Sequence, residues 1–382
     1  MNERAGKYIQ QPLGYKAFIP NPLPPNPVIV FDDEMHSLLS KADRTLARLD
    51  GVTSVLPNPD LFIAMYVKKE ALLSSQIEGT QASLEGVLEF EADMPLKEDI
   101  NQVREVFNYI QAMNHGMDRL KTLPMSLRLI KEIHRTLMEG VRGADKTPGE
   151  FKRSQNWVGP KGAPLNQATY VPPPPDETNA AMGLLEKYLY EKDNTPPLVK
   201  IALIHSQFET IHPFLDGNGR IGRLLVTYYL FWQGILNKPL LYLSIYLKKH
   251  RQRYYDLLMN VRHEGAWEEW IKFFLSGVAE TSEEATNTAR EIIGLKERLF
   301  TLLCEKSVSS PHAVRLLNHM FTAPLISSNE IGRQLSISKE TAIQLLNKFE
   351  HVGIIKEITG KKRYKKYLFK EYVDLISRGT EQ

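Results

Sequence analysis

The chain has 382 residues, which predicts two or three domains. An apolar content of 42% and a charged content of 24% indicate a soluble globular protein, and a net charge of +3 excludes a surface that is basic throughout. The one cysteine excludes an internal disulfide, the N-terminus lacks an apolar signal core, and the longest apolar run, roughly residues 224–236, is too short to span a bilayer. We therefore expect a cytoplasmic protein without membrane contact.

The N-terminal part of the chain is predicted to be helical after an extended arm. Residues 1–27 end in NPLPPNP, where the prolines exclude a regular helix or a central strand. Leucines at helical spacing, together with Gly51, Pro59 and Gly79 as start and stop signals, define the elements that follow. Helices are predicted over about 31–51, 59–79, 98–121 and 126–139, and residues 1–110 are assigned to an N-terminal helical region.

Residues 149–175 have a different character. The β-prone segments Asn156–Val158 and Ala168–Val171 flank a turn region rich in Gly and Pro, which predicts a short hairpin that ends at four prolines. Helices resume over about 176–191, 197–211, 220–234, 248–262 and 264–280. We assign residues 111–280 to a catalytic core and 281–306 to a helical connector.

The last part of the chain, residues 307–382, predicts a small α+β domain. A capping box formed by Ser327 and Glu330 opens one helix, KETAIQLLNKFEHVG forms a second, and IIKEITGKKRYKKYLF reads as two strands. This order is typical of a winged helix-turn-helix domain. The segment holds 12 Lys and Arg against 7 Asp and Glu, a net +5 that lies mostly in the wing. Such a wing suits the DNA backbone, but the second helix offers few base-reading side chains, so docking to DNA and docking to a protein both stay open.

The stretch HPFLDGNGRIGR, residues 212–223, has the composition of a nucleotide-transfer site. A glycine-flanked turn before an apolar helical run presents free N–H groups, which form an anion site. Arg220 and Arg223 lie on one face of the first helical turn, where their guanidinium groups suit phosphate oxygens. Asp216 would repel phosphate unless Mg²⁺ stood between them. His212 titrates near neutral pH and is the candidate base.

A zinc site is an alternative for the same region. His205, Glu209 and His212 stand at positions i, i+4 and i+7 of one helix face, a spacing that suits metal ligands. Pro213 is expected to end the helix there, and no further ligand is apparent from the sequence.

The complete stretch resembles the signature of Fic proteins, His-x-Phe-x-Asp/Glu-Gly-Asn-Gly-Arg-x-x-Arg. Similarity extends to GEFKRSQNWVG, ATYVPPPP and LYLSIYLKKHRQRYYDLL, and it covers roughly residues 30–280. The resemblance implies a mainly α fold, a Fic-type helical bundle with a short β-hairpin flap, beside the small winged-helix domain. It also implies the transfer of AMP from ATP to a Ser, Thr or Tyr hydroxyl of a target protein, with release of pyrophosphate.

The same resemblance implies a role for each motif residue. His212 would take the proton of the target hydroxyl, and Asp216 would bind Mg²⁺. The amides of Gly217–Gly219 and Asn218 would hold the α- and β-phosphates, while Arg220 and Arg223 would hold the β- and γ-phosphates. The implied ATP-binding set is Phe214, Leu215, Asp216, Gly217, Asn218, Gly219, Arg220 and Arg223.

Two further groups of residues are implied with less support from the motif itself. The edge of the hairpin would add a target segment as another strand, with Trp157, Val158, Ala168, Thr169 and Tyr170 as docking residues; a hairpin that only covers the core is the alternative. Tyr246, Tyr254 and Tyr255 lie where the adenine side of the family is built, although helical tyrosines usually belong to a core.

The stretch SSQIEG, residues 74–79, suggests that the activity is held back. Glu78 ends a predicted helix, where the helix dipole disfavours a carboxylate, so an arginine partner is expected. Ser74, Glu78 and Gly79 also resemble the inhibitory motif of the family, Ser/Thr-x-x-x-Glu-Gly/Asn. In relatives this glutamate pairs with the second motif arginine, here Arg223. In some relatives it also supports removal of AMP, which makes hydrolytic de-AMPylation a second implied activity.

A hypothesis of another class is a nucleotide-sensing winged-helix transcription regulator with an inactive Fic-like domain. The complete motif argues against it, because a sensor has no need of His212. A DNA mobility shift that is insensitive to ATP would favour the regulator, and incorporation of AMP would favour the enzyme. The sequence leaves open the target, a homo-oligomer and the signal that relieves Glu78, while self-modification is an expected side reaction.

Overall fold

The computed structural model describes residues 4–54, 59–141, 143, 145–160 and 162–381. The fold is mainly helical, as predicted, with small antiparallel sheets. The elements of the N-terminal part are β1 (Gly6–Gln10), β2 (Lys16–Pro20), α1 (Asp33–Ser54), α2 (Pro59–Ile77), α3 (Leu84–Glu91), α4 (Ile100–Arg119) and α5 (Leu127–Leu137).

A short 3-10 helix at Leu165–Gln167 follows α5, and the chain is then almost entirely helical up to residue 305. The helices of this part are α6 (Pro175–Tyr190), α7 (Pro197–Ile211), α8 (Asn218–Trp232), α9 (Ser244–Lys249), α10 (Arg251–Glu264) and α11 (Trp267–Glu305). The C-terminal part comprises α12 (Pro311–Met320), β3 (Leu325–Ser327), α13 (Ser328–Leu335), α14 (Lys339–His351), β4 (Lys356–Glu357), β5 (Lys366–Leu368) and α15 (Lys370–Ser377).

The centre of the molecule is α7, which is buried all around. Every residue from Leu198 to Ile211 is buried, because α6, α8, α10 and α11 pack against different sides of this helix. Most of α8 is buried as well. The loop between these two central helices is therefore held from several directions, which suits a site that needs fixed geometry. None of the helices in the described ranges combines the length and the hydropathy that crossing a membrane requires.

The predicted extended arm is wrong in part, because its first half forms a hairpin. Strands β1 and β2 pair antiparallel in a register that sets Tyr8 opposite Phe18. Phe18 is buried, its ring packs on Tyr8 and Tyr170, and its N–H donates to the carbonyl of Val171. The prolines that suggested an arm lie after β2, so they end the hairpin and do not prevent it.

Several helix boundaries also differ from the prediction. Helix α1 continues through Gly51, and α4 crosses residue 110, where a domain boundary was predicted. Helix α11 runs without a break from Trp267 to Glu305, so the connector predicted at 281–306 is the second half of one helix that packs along α1. The predicted helix 248–262 is two helices, α9 and α10, joined at His250. Helix α3 lies in a stretch for which no element was predicted.

The predicted hairpin at 156–171 is reduced to a single β-bridge between Val158 and Tyr170. The described residues between them, 159–160 and 162–169, form bends, turns and the 3-10 helix Leu165–Gln167 instead of strands. Prolines at 160 and 164 remove ladder donors from this segment, which explains why the pairing does not extend.

The C-terminal part consists of helices around a three-stranded antiparallel sheet of order β3-β5-β4. Ser310, Ser327 and Ser338 cap α12, α13 and α14 by accepting hydrogen bonds from the first-turn amides. Helix α12, strand β3 and helix α15 were not predicted. Helix α15 packs against α2, α3 and α11, which joins this part to the rest of the molecule.

Candidate active site

The loop between α7 and α8 has two left-handed residues at its ends. His212 is the C-cap of α7 with φ of 50°, and Gly217 is the N-cap of α8 with φ of 77°. Between them, Phe214 is fully buried and its ring stacks on His134 at a centroid distance of 3.7 Å. His134 accepts a hydrogen bond from the N–H of Gly149 and donates one to the carbonyl of Asp216. Burial lowers the pKa of His134 to about 4, which suits a neutral, structural histidine.

The side chain of Asn218 is hydrogen-bonded to the main chain of this loop. Its Oδ1 accepts from the N–H of Phe214 at 2.8 Å, and its Nδ2 donates to the carbonyl of Phe214 at 2.8 Å. The side chains of Phe214 and Asn218 therefore hold the loop, and their implied contacts with ATP stay predictions. Leu215 is half-buried, and the anion contacts are left to the amides and arginines of α8.

Arg220 is a buried cation with unused donors at the start of α8. Its side chain is 5% exposed, its Nε and Nη1 have no hydrogen-bond partner among the described residues, and its Nη2 lies 3.6 Å from Asp216 and 3.7 Å from the sulfur of Met138. A buried guanidinium without partners is costly unless an anion completes it. The arrangement fits a phosphate site at the N-terminus of α8.

Asp216 lies beside this anion site and is partly exposed. Its Oδ1 accepts from the N–H of Gly217 at 2.7 Å, and Lys146 and Arg220 each approach it at 3.6 Å. The described residues contain no cluster of three or more His, Cys, Asp or Glu that could hold a metal ion by themselves. One carboxylate beside a phosphate site is nevertheless a donor set that Mg²⁺ accepts, because this ion takes its other ligands from water and substrate.

His212 is held in a strongly desolvated position. Its Nδ1 is enclosed, and its pKa is lowered to about 3 by burial first and then by the positive charges of Lys152 and Arg262. A neutral imidazole results, which is the form that accepts a proton.

The zinc alternative does not agree with the hydrogen bonds of His205. Its Nδ1 bonds to the carbonyl of Gly222 at 2.9 Å and its Nε2 to the hydroxyl of Tyr254 at 2.9 Å, which leaves neither nitrogen for a metal. Glu209 lies against Gly222, and burial raises the pKa of its carboxyl to about 7.

Glu78 reaches the same site from the end of α2. Its Oε1 accepts from Nη2 of Arg223 at 2.7 Å, while Ser74 accepts from Nε and Nη2 of the same arginine at 2.8 and 2.9 Å. The Glu78 carboxylate lies directly over Gly219, where any Cβ would collide with it. Gly79, with φ of 95°, turns the chain away immediately afterwards. An anion of the protein itself thus occupies the anion site.

Arg223 is completely enclosed. Burial alone would lower the pKa of its guanidinium, but the Glu78 carboxylate, followed by the nearby Tyr254 and Tyr255, raises it above the ordinary value. Arg223 therefore stays charged and remains available to any anion that replaces Glu78.

The structure divides the predicted flap residues into two sets. Trp157, Val158 and Thr169 are exposed and Ala168 is half-buried, whereas Tyr170 is buried and donates from its hydroxyl to the carbonyl of Thr210. The guanidinium of Arg262 also covers the Tyr170 ring at 3.9 Å. Tyr170 is consequently a core residue that anchors the bridge and is not available for docking.

The predicted adenine-side tyrosines are also divided. Tyr255 lies near Arg223 and Glu78, which influence its pKa, and Tyr254 is buried against His205. Tyr246 packs on Phe273 and Gly277 between α9 and α11, which makes it a core residue.

Lys152, Asn156 and His134 support the loop, but the sequence pattern does not reveal them. Each acts on main-chain atoms of the motif from 56 to 82 positions away. The sequence offered one indication of Lys152 and Asn156, because both lie in GEFKRSQNWVG, one of the segments similar to Fic proteins. The similarity alone did not show what these two residues contact.

Comparisons with known proteins agree with the motif. The family model described as "Fic/DOC family N-terminal" matches residues 36–118, and the model described as "Fic/DOC family" matches residues 124–230. A protein adenylyltransferase Fic of Aedes aegypti is 30% identical over 215 residues, which cover 56% of this chain and 38% of that protein. One from Drosophila grimshawi is 31% identical over 217 residues, which cover 54% and 41%. The chain thus spans about two-fifths of the length of these curated relatives.

The fold has solved counterparts as well. The crystal structure of a Fic family protein from Desulfovibrio desulfuricans G20 superposes with a TM-score of 0.59 at 19% sequence identity, covering 89% of this chain and 97% of that one. At this identity the likeness concerns the fold.

Proposed function

We propose, because this chain belongs to the Fic/DOC family, that it is a protein adenylyltransferase that transfers AMP from ATP to a Ser, Thr or Tyr hydroxyl of a target protein. The observation that carries the proposal is the buried anion site of α8, with the unpartnered nitrogens of Arg220, one loop away from a neutral histidine. In the reaction the hydroxyl oxygen bonds to the α-phosphorus, the bond to the β-phosphate breaks, pyrophosphate leaves, and His212 takes the hydroxyl proton.

The phosphates of ATP would be held at the start of α8. The amides of Asn218 and Gly219 lie in the first turn of α8, where the helix itself supplies no acceptor, while the N–H of Gly217 donates to Asp216. Arg220 adds two guanidinium nitrogens that have no hydrogen-bond partner among the described residues. Arg223 would bind the terminal phosphate once Glu78 has moved. This positioning, together with neutralisation of charge, supplies most of the catalysis expected for phosphoryl chemistry.

Asp216 would hold Mg²⁺ between its carboxylate and the phosphates. When bound, the ion would neutralise the charge that develops on the leaving pyrophosphate. Lys146 and Arg220, which now lie at 3.6 Å from Asp216, would keep the carboxylate in place until nucleotide arrives.

Glu78 is proposed to inhibit the transfer. Its carboxylate accepts from Nη2 of Arg223 and covers Gly219, so the terminal phosphate of ATP cannot bind there while Glu78 is in place. The same carboxylate lies over Gly219 at the start of α8, where it would activate water for the removal of AMP as a second activity of the site.

The C-terminal part is proposed to be a winged helix that docks DNA. A groove lined by α13, α14 and the β4–β5 connection contains cationic and amide side chains, among them Arg333, Lys339, Asn347, Lys362, Arg363 and Lys365. Such a groove suits the phosphates of DNA. An acidic protein surface is the other candidate, and a salt-dependent mobility shift with random DNA would distinguish the two.

The transfer is tested by incubating the full chain with ATP labelled at the α-phosphate and a cell lysate. We expect weak labelling by the wild type and about 10- to 100-fold more by Glu78→Gly, since a charge-assisted hydrogen bond to a buried arginine contributes about 1.5–3 kcal/mol. Replacing His212 by Ala in the Glu78→Gly background should abolish labelling of target proteins and of the chain itself while ATP still binds.

Two outcomes would contradict these assignments. Equal labelling by wild type and Glu78→Gly would remove the inhibitory role of Glu78. Unchanged labelling after His212→Ala would remove the role of His212 as the base.

A further inference from the structure

Lys152 is a buried lysine that has no carboxylate partner among the described residues. It is 1% exposed, and its Nζ donates to Oδ1 of Asn156 at 2.7 Å, to the carbonyl of His212 at 3.1 Å and to the carbonyl of Ile211 at 3.4 Å. Burying a lysine is costly, as the lowering of its pKa to about 7 by burial indicates. The acceptors that compensate this cost belong to the end of α7 and the loop that follows.

Asn156 completes the same set of contacts. Its Nδ2 donates to the carbonyls of His212 at 3.0 Å and Phe214 at 2.7 Å, and the main-chain N–H of Lys152 donates to the carbonyl of Pro213 at 2.8 Å. Lys152 and Asn156 together therefore satisfy all four consecutive carbonyls from Ile211 to Phe214. One neighbouring segment thus binds each of these carbonyls, and the loop they belong to carries His212.

The conformation held by these bonds is a strained one. His212 has a φ of 50°, and a non-glycine residue in the left-handed region costs about 1–2 kcal/mol. The carbonyls at the end of α7 also form the negative end of the helix dipole, where a cation is favourable. The ammonium of Lys152 and the amide of Asn156 offset the strain at the one residue whose placement the reaction depends on.

We propose that Lys152 and Asn156 are positioning residues that fix the main chain of His212 in its left-handed conformation, so that the imidazole is held ready to accept the proton of the target hydroxyl. The proposal rests on the proposed adenylyl transfer. Neither residue touches the reacting atoms, so both act through His212.

Lys152 has a second, electrostatic effect that Asn156 lacks. The charged groups that act on His212 are Lys152 and Arg262, which are both positive; Glu209 of α7 offers only a main-chain hydrogen bond, and Asp216 is paired with Lys146 and Arg220. Removal of the Lys152 charge should therefore raise the pKa of His212, whereas removal of the Asn156 amide should change only its placement.

The test compares Lys152→Met, Lys152→Arg and Asn156→Ala in the Glu78→Gly background of the full chain. We expect Lys152→Met and Asn156→Ala to lower kcat for AMP transfer about 10- to 100-fold with KM for ATP nearly unchanged, since a misplaced base affects the chemical step and not nucleotide binding. In Lys152→Met the acid limb of the kcat–pH profile should move to higher pH, and Lys152→Arg should restore most of the rate. Arg153→Met, which removes an exposed neighbouring cation, is the matched control and should match the parent.

The outcomes separate positioning from a general structural role. An unchanged kcat in both Lys152→Met and Asn156→Ala overturns the proposal, as does a fall in kcat with no movement of the pH profile in Lys152→Met and no recovery in Lys152→Arg. If Lys152→Met does not fold, the kcat values of Asn156→Ala and Lys152→Arg test the proposal: a lowered kcat in Asn156→Ala with a nearly unchanged kcat in Lys152→Arg supports it, and an unchanged kcat in Asn156→Ala overturns it. If the Glu78→Gly parent transfers no AMP, the proposed function has failed, and the NMR titration of His212 in the full chain decides the positioning separately: an unchanged titration in Lys152→Met overturns it.

Discussion

Arg220 and Arg223 are buried arginines on the same face of α8, but their surroundings are opposite. Arg223 donates to Ser74 and Glu78 through short hydrogen bonds. Arg220 has two nitrogens without any partner among the described residues. One arginine is therefore satisfied by the protein, and the other is left for a ligand. Under the proposed function, Glu78 would block the site at Arg223 while part of a nucleotide binds at Arg220.

The buried nitrogens of Arg220 that have no partner among the described residues predict that this side chain lowers the stability of the nucleotide-free protein and strengthens the binding of ATP. Replacement by Met removes two buried donors without partners, each of which costs about 1–3 kcal/mol, so Arg220→Met should unfold at a higher temperature in the absence of nucleotide. The same variant should bind ATP about 10- to 100-fold more weakly, because a phosphate loses its guanidinium. Thermal unfolding and a nucleotide titration measure both effects. Arg119→Met, which removes a partly exposed ion pair with Glu132, is the control. If Arg220→Met is less stable than the wild type, the Arg220 side chain already has partners in the protein without nucleotide.

The sequence predicted which residues lie together at this loop, but not the contacts that hold the loop. The motif places His212, Asp216, Arg220 and Arg223 correctly around one loop, because their spacing is local. The tasks of Asn218 and Phe214 depend on a return contact within the loop, and those of Lys152 and Asn156 depend on a segment about 60 positions away. Spacing alone contains no information about such pairings.

At the scale of elements, α2 is fixed by a buried carboxyl one turn before Ser74. Oε1 of Glu70 accepts from the hydroxyls of Tyr109 on α4 and Ser244 at the start of α9, which ties α2 to both neighbours. Burial raises the pKa of Glu70 to about 7, and the nearby charge of Arg223 offsets only part of this effect. The helix that carries the inhibitory glutamate is thus anchored by a group that titrates close to neutrality.

This anchor predicts a pH dependence of stability. The folded pKa of about 7 lies above the ordinary value of 4.5 for a glutamate, so the folded state binds the proton more tightly, and the stabilisation present below pH 4.5 is lost as the pH rises through 7. Glu70→Gln, which cannot ionise, should reduce the fall of the unfolding free energy between pH 5 and pH 7 by up to about 1.4 kcal/mol per pH unit. Urea unfolding at several pH values measures the slope. Burial also raises the pKa of Glu209 to about 7, so part of the slope should remain in Glu70→Gln. Glu177→Gln, at an exposed glutamate, is the control. An unchanged slope in Glu70→Gln would show that another group titrates in this range.

Helices were predicted where the hydrophobic residues recur at a clear helical period. Short elements that depend on packing against neighbouring elements were missed. Helices α4 to α8 have buried faces that the sequence shows, and their bounds agree within a few residues. The hairpin β1–β2 and the helices α3, α12 and α15 are short, and each is stabilised by a neighbour. The connector predicted at 281–306 is helical, but α11 continues through Gly277 and Gly294 without a break near residue 281.

At the scale of the whole molecule, the segment after α15 lies against the end of α2, the helix that precedes Glu78. Nε2 of Gln76 donates to the carbonyl of Thr380 at 3.1 Å, and Lys248 donates to Oε1 of Gln76 at 2.8 Å and to the carbonyl of Glu381 at 2.7 Å. Thr380 is buried in this contact. Gln76 is two residues before Glu78, so the C-terminal part of the chain and the inhibitory glutamate share one small contact region.

This connection predicts that shortening the chain by its last four residues weakens the inhibition. The shortened chain loses the hydrogen bond to Gln76 and one acceptor of Lys248, and two such bonds contribute about 1–3 kcal/mol. If that free energy helps to hold Glu78 on Arg223, AMP transfer by the otherwise wild-type chain should rise about 2- to 10-fold. In the Glu78→Gly background the same deletion should have no effect, because the residue through which it acts is absent. Arg298→Ala, which breaks an exposed contact between α11 and Glu371 of α15, is the control for loosening of the C-terminal part in general. A rise of equal size in the Glu78→Gly background, or in Arg298→Ala, would show that the deletion acts by another route than the end of α2.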